Sequence, residues 1–234
     1  MEHDLELPSH WTKAQGLDIH YKCLGEGPPV ILIHGGANDW HEWERNIAFL
    51  AQDFRICAPD FPGFGLSQSP NVAVSPYWSI SLLKNLMDAL SITTAHLIGH
   101  SLGGVLSLAF ALDFPERVDK LVLVDSAGFG EISQSGQLRL SLLSMIKRSF
   151  GKGSNVKYEN GPSTWLFINR LHELKPPVMI VWGEKDPYVP VSQAKLAHSL
   201  IPNSQLHIFR RCHHAPQQEC PEEFNNLIRR FLTE

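Results

Sequence analysis

The chain has 234 residues, enough for one sizeable core and short for two full domains. Hydrophobic residues make up 43% and charged residues 19%, as in ordinary globular proteins, which argues against a disordered chain. A net charge of −4 gives no basic footprint for nucleic acid, so no nucleic-acid partner is expected.

In chain order, the start "MEHDLELPSH" is acidic and polar, without the basic and apolar blocks of a secretory signal. No apolar run approaches the ~18 residues of a membrane span. The expectation is a cytoplasmic protein. Its four cysteines, Cys23, Cys57, Cys212 and Cys220, show no C-x-x-C pair. They read as free thiols, in preference to a Cys212–Cys220 bridge that spacing alone permits.

Short apolar runs follow: Val30–Ile33, Arg55–Ala58, His96–Ile98, Leu121–Val124, Val178–Trp182 and Leu206–Phe209. Several are continuous Val/Ile/Leu stretches, which suits strands buried on both faces. Between them lie helical patterns. Ile80, Leu83, Leu86, Met87 and Leu90 share a face; Leu102 to Phe114 is dense in Leu, Ala and Phe and stops at Pro115. Phe224, Leu227, Ile228, Phe231 and Leu232 form a stripe with Glu222-Glu223 before it and Arg229-Arg230 near its end, both favourable to the helix dipole. The alternation predicts an α/β fold with a mainly parallel sheet covered by helices.

From Glu131 to about Ser163 the rhythm breaks. Leu138, Leu142, Met145 and Ile146 predict one helix face, and "GKGSNVKYENGPS" (151–163) reads as loop. The segment is expected to be an insertion above the sheet.

"GHSLGG" (99–104) joins the His96–Ile98 strand to an apolar helix. Ser101 is either a nucleophile on a strained turn or an N-cap, and the motif alone gives these even weight. A nucleophilic serine needs a base, and among twelve histidines His214 stands out, in a loop after a strand and before the last helix. Its neighbour His213 reads as a surface residue. The base needs a carboxylate. Asp186, in "WGEKDPYVP" after the Val178–Trp182 strand, is preferred over Asp125, because the order Ser, Asp, His then places the acid after the penultimate strand. "HGGANDW" (34–40) supplies the backbone for an oxyanion hole, with the N–H groups of Gly36 and Leu102 as donors.

These pieces resemble the α/β-hydrolase fold family, in its cap-bearing branch. "HGG" at 34–36, "DFPGFGLS" at 60–67, "GHSLGG", "GEKDPYVP" at 183–190 and "HAPQQECPEEF" at 214–224 match in order and cover most of the chain. The resemblance implies a mostly parallel eight-stranded sheet flanked by helices, with the core in residues 1–130 and 164–234. It implies a reduced cap at 131–163, after the sixth strand, with a core helix over Thr164–Glu173. It also implies Ser101 as nucleophile, His214 as base, Asp186 as orienting acid, and Gly36 and Leu102 as oxyanion donors. Asp60, Gly63 and Gly65 take structural roles.

The implied activity is hydrolysis of a small carboxylic ester through an acyl-enzyme. The alternatives are a carbon–carbon hydrolase acting on ring-cleavage vinylogous diketones, and a weakly catalytic ligand-binding member of the fold. No cofactor or metal is expected: His213-His214 lacks metal-ligand spacing, and no phosphate-binding glycine loop is present.

Overall fold

The computed structural model describes residues 7–36, 38–130, 132, 136–138, 141–142, 145, 156–159 and 165–234. One eight-stranded sheet organises them, in the order β1-β2-β4-β3-β5-β6-β7-β8. The strands are β1 (Ser9–Ala14), β2 (Leu17–Leu24), β3 (Pro29–Ile33), β4 (Arg55–Pro59), β5 (Ala95–His100), β6 (Val118–Val124), β7 (Val178–Gly183) and β8 (Gln205–Phe209). From β4 through β8 every neighbouring pair is parallel, and β1–β2 and β2–β4 are antiparallel.

The central strands read as unbroken apolar runs because both of their faces are covered. Ile31, Ile33, Leu97, Leu121, Leu123 and Ile180 feed one core cluster. The residues between them, Val30, Leu32, Ile98, Val122, Val124 and Val181, feed the other. That is the two-residue side-chain period with an apolar layer on each side.

The helices are α1 (Glu44–Leu50), α2 (Pro76–Ala89), α3 (Leu102–Asp113), α4 (Val191–Leu200), α5 (Pro216–Glu219) and α6 (Pro221–Thr233). Buried on all sides from Gly103 to Leu112, α3 shows no polar face. By contrast α6 is amphipathic, burying Phe224, Ile228, Phe231 and Leu232.

The six expected strands are all present, one to three residues longer at their ends. The β1–β2 hairpin has no counterpart among the predicted runs. It lies at the sheet edge, where burial alternates along β1, and a search for continuous apolar runs passes over it. Its turn, Gln15-Gly16, has φ of 49° and 76°, the two positive values that a two-residue hairpin favours.

The helix expected over Thr164–Glu173 is corrected: Ile168–Glu173 is a short 3₁₀ helix, and Thr164 lies outside the described residues. Phe167 N is tied to Gly128 O, and Leu174 is already extended ahead of Pro176-Pro177, so little length remains for α-helix. In the insertion, Leu138, Leu142 and Met145 are helical but exposed, and Ile146 lies outside the described residues. One bridge, Val74 with Tyr158, ties the insertion's far end to the core. Among the described residues no helix is long and apolar enough to cross a membrane.

The expectation of four free thiols is also corrected. Cys212 and Cys220 form a disulfide, because α5 folds the chain back so that the two residues face each other. Cys23 and Cys57 are free and face each other across β2 and β4, with sulfurs 3.0 Å apart. The disulfide closes the loop that carries His214. Reducing it should lower stability by about 2–3 kcal/mol, the loop-closure value for a ring of this size. Urea unfolding of Cys212→Ser/Cys220→Ser against the parent checks this, and equal midpoints would contradict it.

Candidate active site

The site lies at the carboxyl ends of the parallel strands, where β3 sends its two neighbours, β4 and β5, to opposite sides and leaves a crevice. The loops after β3, β5, β6, β7 and β8 all meet there.

Ser101 follows β5 directly. Its backbone has φ 51° and ψ −111°, a strained conformation for a side-chain-bearing residue. Two hydrogen bonds hold it there, Ser101 N to Val124 O at 2.9 Å and Ala127 N to Ser101 O at 3.2 Å. It sits at the N-cap position of α3, yet its hydroxyl makes no capping bond. The turn is tight enough that a methyl group on Gly99 would strike Gly103 O, and one on Gly103 would strike Ile33 O. Both glycines of the motif are therefore fixed by close backbone approach.

Asp186 and His214 are brought into contact, with His214 Nδ1 2.7 Å from Asp186 Oδ2. The other oxygen of Asp186 accepts from the amides of Tyr188 (2.7 Å) and Val189 (3.0 Å), which fixes the carboxylate plane. Burial opposes the charge of Asp186, but His214 and the two amides outweigh it and hold the acid below its ordinary range. With Asp186 ionised on Nδ1, the other nitrogen of His214 is left as the free base.

Asp125, the rival acid, is neither on the histidine nor remote. It directly follows β6 with φ 41°, is fully buried, and accepts from Gly183 N at 3.0 Å. Its carboxyl, that of Asp186 and the His214 ring offer atoms within 4.8 Å of one another. Burial and the neighbouring Asp186 charge push Asp125 well above the carboxylate range, so it is neutral beside an ionised partner.

Gly36 and Leu102, which carry the expected oxyanion donors, are neighbours: a methyl on Gly36 would touch the Leu102 side chain at 3.7 Å. Leu102 is the first residue of α3, so its amide has no partner within the helix. A methyl on Gly35 would lie 3.3 Å from Ser101 Cβ, which places this loop against the serine. Among the described residues no hydrogen bond joins Ser101 to His214, a contact that commonly tightens only with substrate bound. His213 faces outward and pairs with Glu219 at 3.0 Å, as its surface reading expects. Asp60 is structural: it accepts from His20 Nδ1, Trp40 N and Leu66 N, and Gly63 and Gly65 both have positive φ.

Two residues of the site have no place in the sequence reading, Glu42 and His100. They form a buried pair at 2.7 Å, and His100 Nε2 reaches the His214 carbonyl at 2.6 Å. The only sequence cue was the position of His100, directly before Ser101.

Beside Leu102 opens a narrow cleft walled by Phe61, Phe64, Trp78, Leu106, Tyr158 and Trp165. Its wall is mostly apolar and aromatic, with Leu102, the neighbour of Ser101 in the chain, at one edge.

Burial lowers the His214 pKa, the Asp186 bond restores part of it, and the nearby His100 lowers it again, with a net downward shift. A base with a lowered pKa stays neutral further into acid. The acid limb of kcat/KM should therefore fall below the ordinary histidine value of about 6.5. A pH–rate profile on an uncharged substrate checks this, and a limb above that value would contradict it.

A family model described as alpha/beta hydrolase fold matches residues 28–153. The chain is 30% identical to a 2-hydroxy-6-oxo-6-phenylhexa-2,4-dienoate hydrolase of Burkholderia cepacia, over 92% of this chain and 91% of that one. It is 33% identical, at the same coverage, to a 2-hydroxy-6-oxononadienedioate/2-hydroxy-6-oxononatrienedioate hydrolase of Escherichia coli. The first alignment spans 261 positions against 234 residues here, so that relative carries at least 27 residues without a counterpart in this chain. Among solved structures, a meta-cleavage product hydrolase of Pseudomonas fluorescens superposes with TM-score 0.84 at 28% identity, covering 98% of this chain and 99% of that one. A carboxylesterase of Bacillus subtilis gives 0.89 at 25% identity, covering 98% and 92%.

Proposed function

The chain belongs to the alpha/beta-hydrolase fold family, and from that premise we propose that Ser101, His214 and Asp186 act as a nucleophilic triad on a carbonyl carbon. The observation that carries the reading is Ser101 itself, held at φ 51° with its hydroxyl free of the capping bond. A helix cap has no need of that strain, whereas a nucleophile must be presented at the strand edge. Ser101 Oγ adds to the carbonyl and His214 takes its proton. The amides of Gly36 and Leu102 receive the charge that develops on the oxygen. His214 then returns the proton to the leaving group, and water releases the acid from the serine by the same steps in reverse roles.

The substrate reading that the relatives support is a carbon–carbon hydrolase of ring-cleavage dienoates. Both relatives named above cleave such compounds, and they align with nearly the whole chain. This reverses the order in which the sequence alone ranks the two activities. In that reaction the bond broken lies between the attacked carbonyl carbon and a carbon whose electron pair is delocalised into the conjugated dienoate, and that carbon takes a proton.

Ester hydrolysis is the second reading, favoured by the cleft wall. A dienoate carries a carboxylate, and the described lining residues include no lysine or arginine. The segment 131–163 is read as a short cap, in keeping with the 27 or more residues that the Burkholderia relative has in excess.

The test is a pair of assays on the intact chain. Loss of the visible dienoate colour, with weak turnover of p-nitrophenyl esters, supports the first reading. Ester turnover with the dienoate unchanged selects the second, and neither signal from a folded protein removes both.

A further inference from the structure

Glu42 and His100 are each 3% exposed, and nothing in the hydrolytic steps above uses them. Their chemistry is nonetheless settled by their partners. His100 Nε2 faces the carbonyl oxygen of His214 at 2.6 Å. A carbonyl can only accept, so Nε2 carries a hydrogen. Nδ1 lies 2.7 Å from Glu42 Oε1. Burial opposes ionisation of Glu42, but His100 and the Gly35 amide outweigh it and hold the acid at about 2. Nδ1 lies against this carboxylate in an ion-pair contact, which favours a second proton on the ring. His100 is therefore an imidazolium enclosed in protein, and although burial works against its charge, Glu42 raises its pKa overall.

A buried ion pair is a weak source of stability, because desolvation of both charges offsets their attraction. The contacts of this one point elsewhere. Glu42 Oε2 accepts from Gly35 N at 2.6 Å and Oε1 from the Asn38 side-chain amide at 2.6 Å, on either side of Gly36. His100 immediately precedes Ser101, and its far nitrogen holds the backbone of His214. One ion pair thus touches the oxyanion loop, the serine turn and the base loop. A methyl on Gly35 would lie 2.8 Å from His100 Nδ1, so the packing around the pair is close.

We propose that Glu42 and His100 are positioning residues: their ion pair locks the oxyanion loop, Ser101 and His214 into one register and keeps a fixed positive charge beside the catalytic base. The proposal rests on the triad reading above. The His100 and His214 ring centroids are 4.7 Å apart. The other groups around His214 are Asp186, which it contacts, neutral Asp125, the Tyr188 ring at 4.9 Å, and Glu42 behind His100. Glu219 stands further out, on α5, paired with His213. Against these acids, the His100 charge opposes protonation of His214 and keeps it a base at lower pH.

His100→Gln keeps a donor for the His214 carbonyl and removes the charge. The His214 pKa should rise, and the acid limb of kcat/KM should move to higher pH with it. kcat should fall about tenfold with KM little changed, the mark of a misplaced reacting group rather than lost binding. Glu42→Gln strips His100 of its counter-charge, so His100 should titrate near or below the ordinary value of about 6.5. The double variant should be no slower than His100→Gln, because the pair acts as a unit.

The deciding measurement is an NMR titration of the histidine rings in the intact chain, wild type and variants, which needs no substrate. His100 doubly protonated well above pH 6.5, with His214 shifted up in His100→Gln, is the expected result. His100 titrating as an ordinary histidine in the wild type, or a His214 pKa indifferent to His100→Gln, overturns the proposal even if the enzyme is active. The expected titrations in a protein that turns over neither substrate would remove the hydrolytic reading and leave the coupling of His100 to His214 in place. If His100→Gln does not fold, the His100 titration in Glu42→Gln decides.

Discussion

Replacing Ser101 with alanine should lower turnover by roughly 10⁴- to 10⁶-fold, the scale seen when a serine triad loses its nucleophile. The loss is large because no other group can take over covalent attack. His214 could at best activate a water, and the alanine methyl, standing where the serine Cβ stood, has nothing to attack with. The fold should survive, since the Ser101 side chain caps nothing and only its backbone is used, by Val124, Ala127 and Val105. Two measurements check this together: initial rates on the dienoate and ester series, and thermal unfolding. Full activity in a folded variant would sink the triad proposal. A large drop in melting temperature would instead assign the serine a structural role.

The second large effect separates two neighbouring acids. Asp186→Asn should cost about 10⁴-fold in kcat, as when the orienting carboxylate of a triad becomes an amide and the histidine tautomer is no longer fixed. Asp125→Asn should change kcat by no more than about threefold, because Asp125 is already neutral and asparagine keeps its shape. Asparagine also keeps the oxygen that accepts from Gly183 N. The contrast depends on burial: two carboxyls this close cannot both ionise, and the one that meets His214 and two backbone amides keeps the charge. Equal losses in the two variants would mean that the proton between them is shared, with Asp125 part of the working acid. A large loss in Asp125→Asn alone would exchange their roles.

Much of the fold was legible in the sequence because its strongest signals are local. β3, β5, β6 and β7 are covered on both faces, so burial appears as an unbroken apolar run. The α6 stripe and the stop of α3 at Pro115 are equally direct. The edge hairpin was not visible in this way, since alternating exposure mixes its signal with that of loops. The helix that the family resemblance implied over Thr164–Glu173 shows the opposite error: tethering at Phe167 and the prolines after Lys175 left only a short 3₁₀ turn.

The active-site proposal divides along the same line. Residue types in fixed order along the chain, Ser101 between glycines, Asp186 after one strand and His214 after the next, were sufficient to nominate three residues and two amides. Sequence order could not rank Ser101 as nucleophile or cap, because that depends on φ and on whether the hydroxyl is spent. Nor could it show Asp125 packed behind Asp186, Cys212 bonded to Cys220, or Glu42 reaching His100 across 58 positions. Those are contacts between loops that only the sheet brings together. Burial raises Asp125, whereas charged and hydrogen-bonded partners outweigh burial to lower Asp186 and to favour the charge on His100. Local pattern fixes which residues stand at the strand ends; the low-dielectric packing between those ends decides their protonation and their partners.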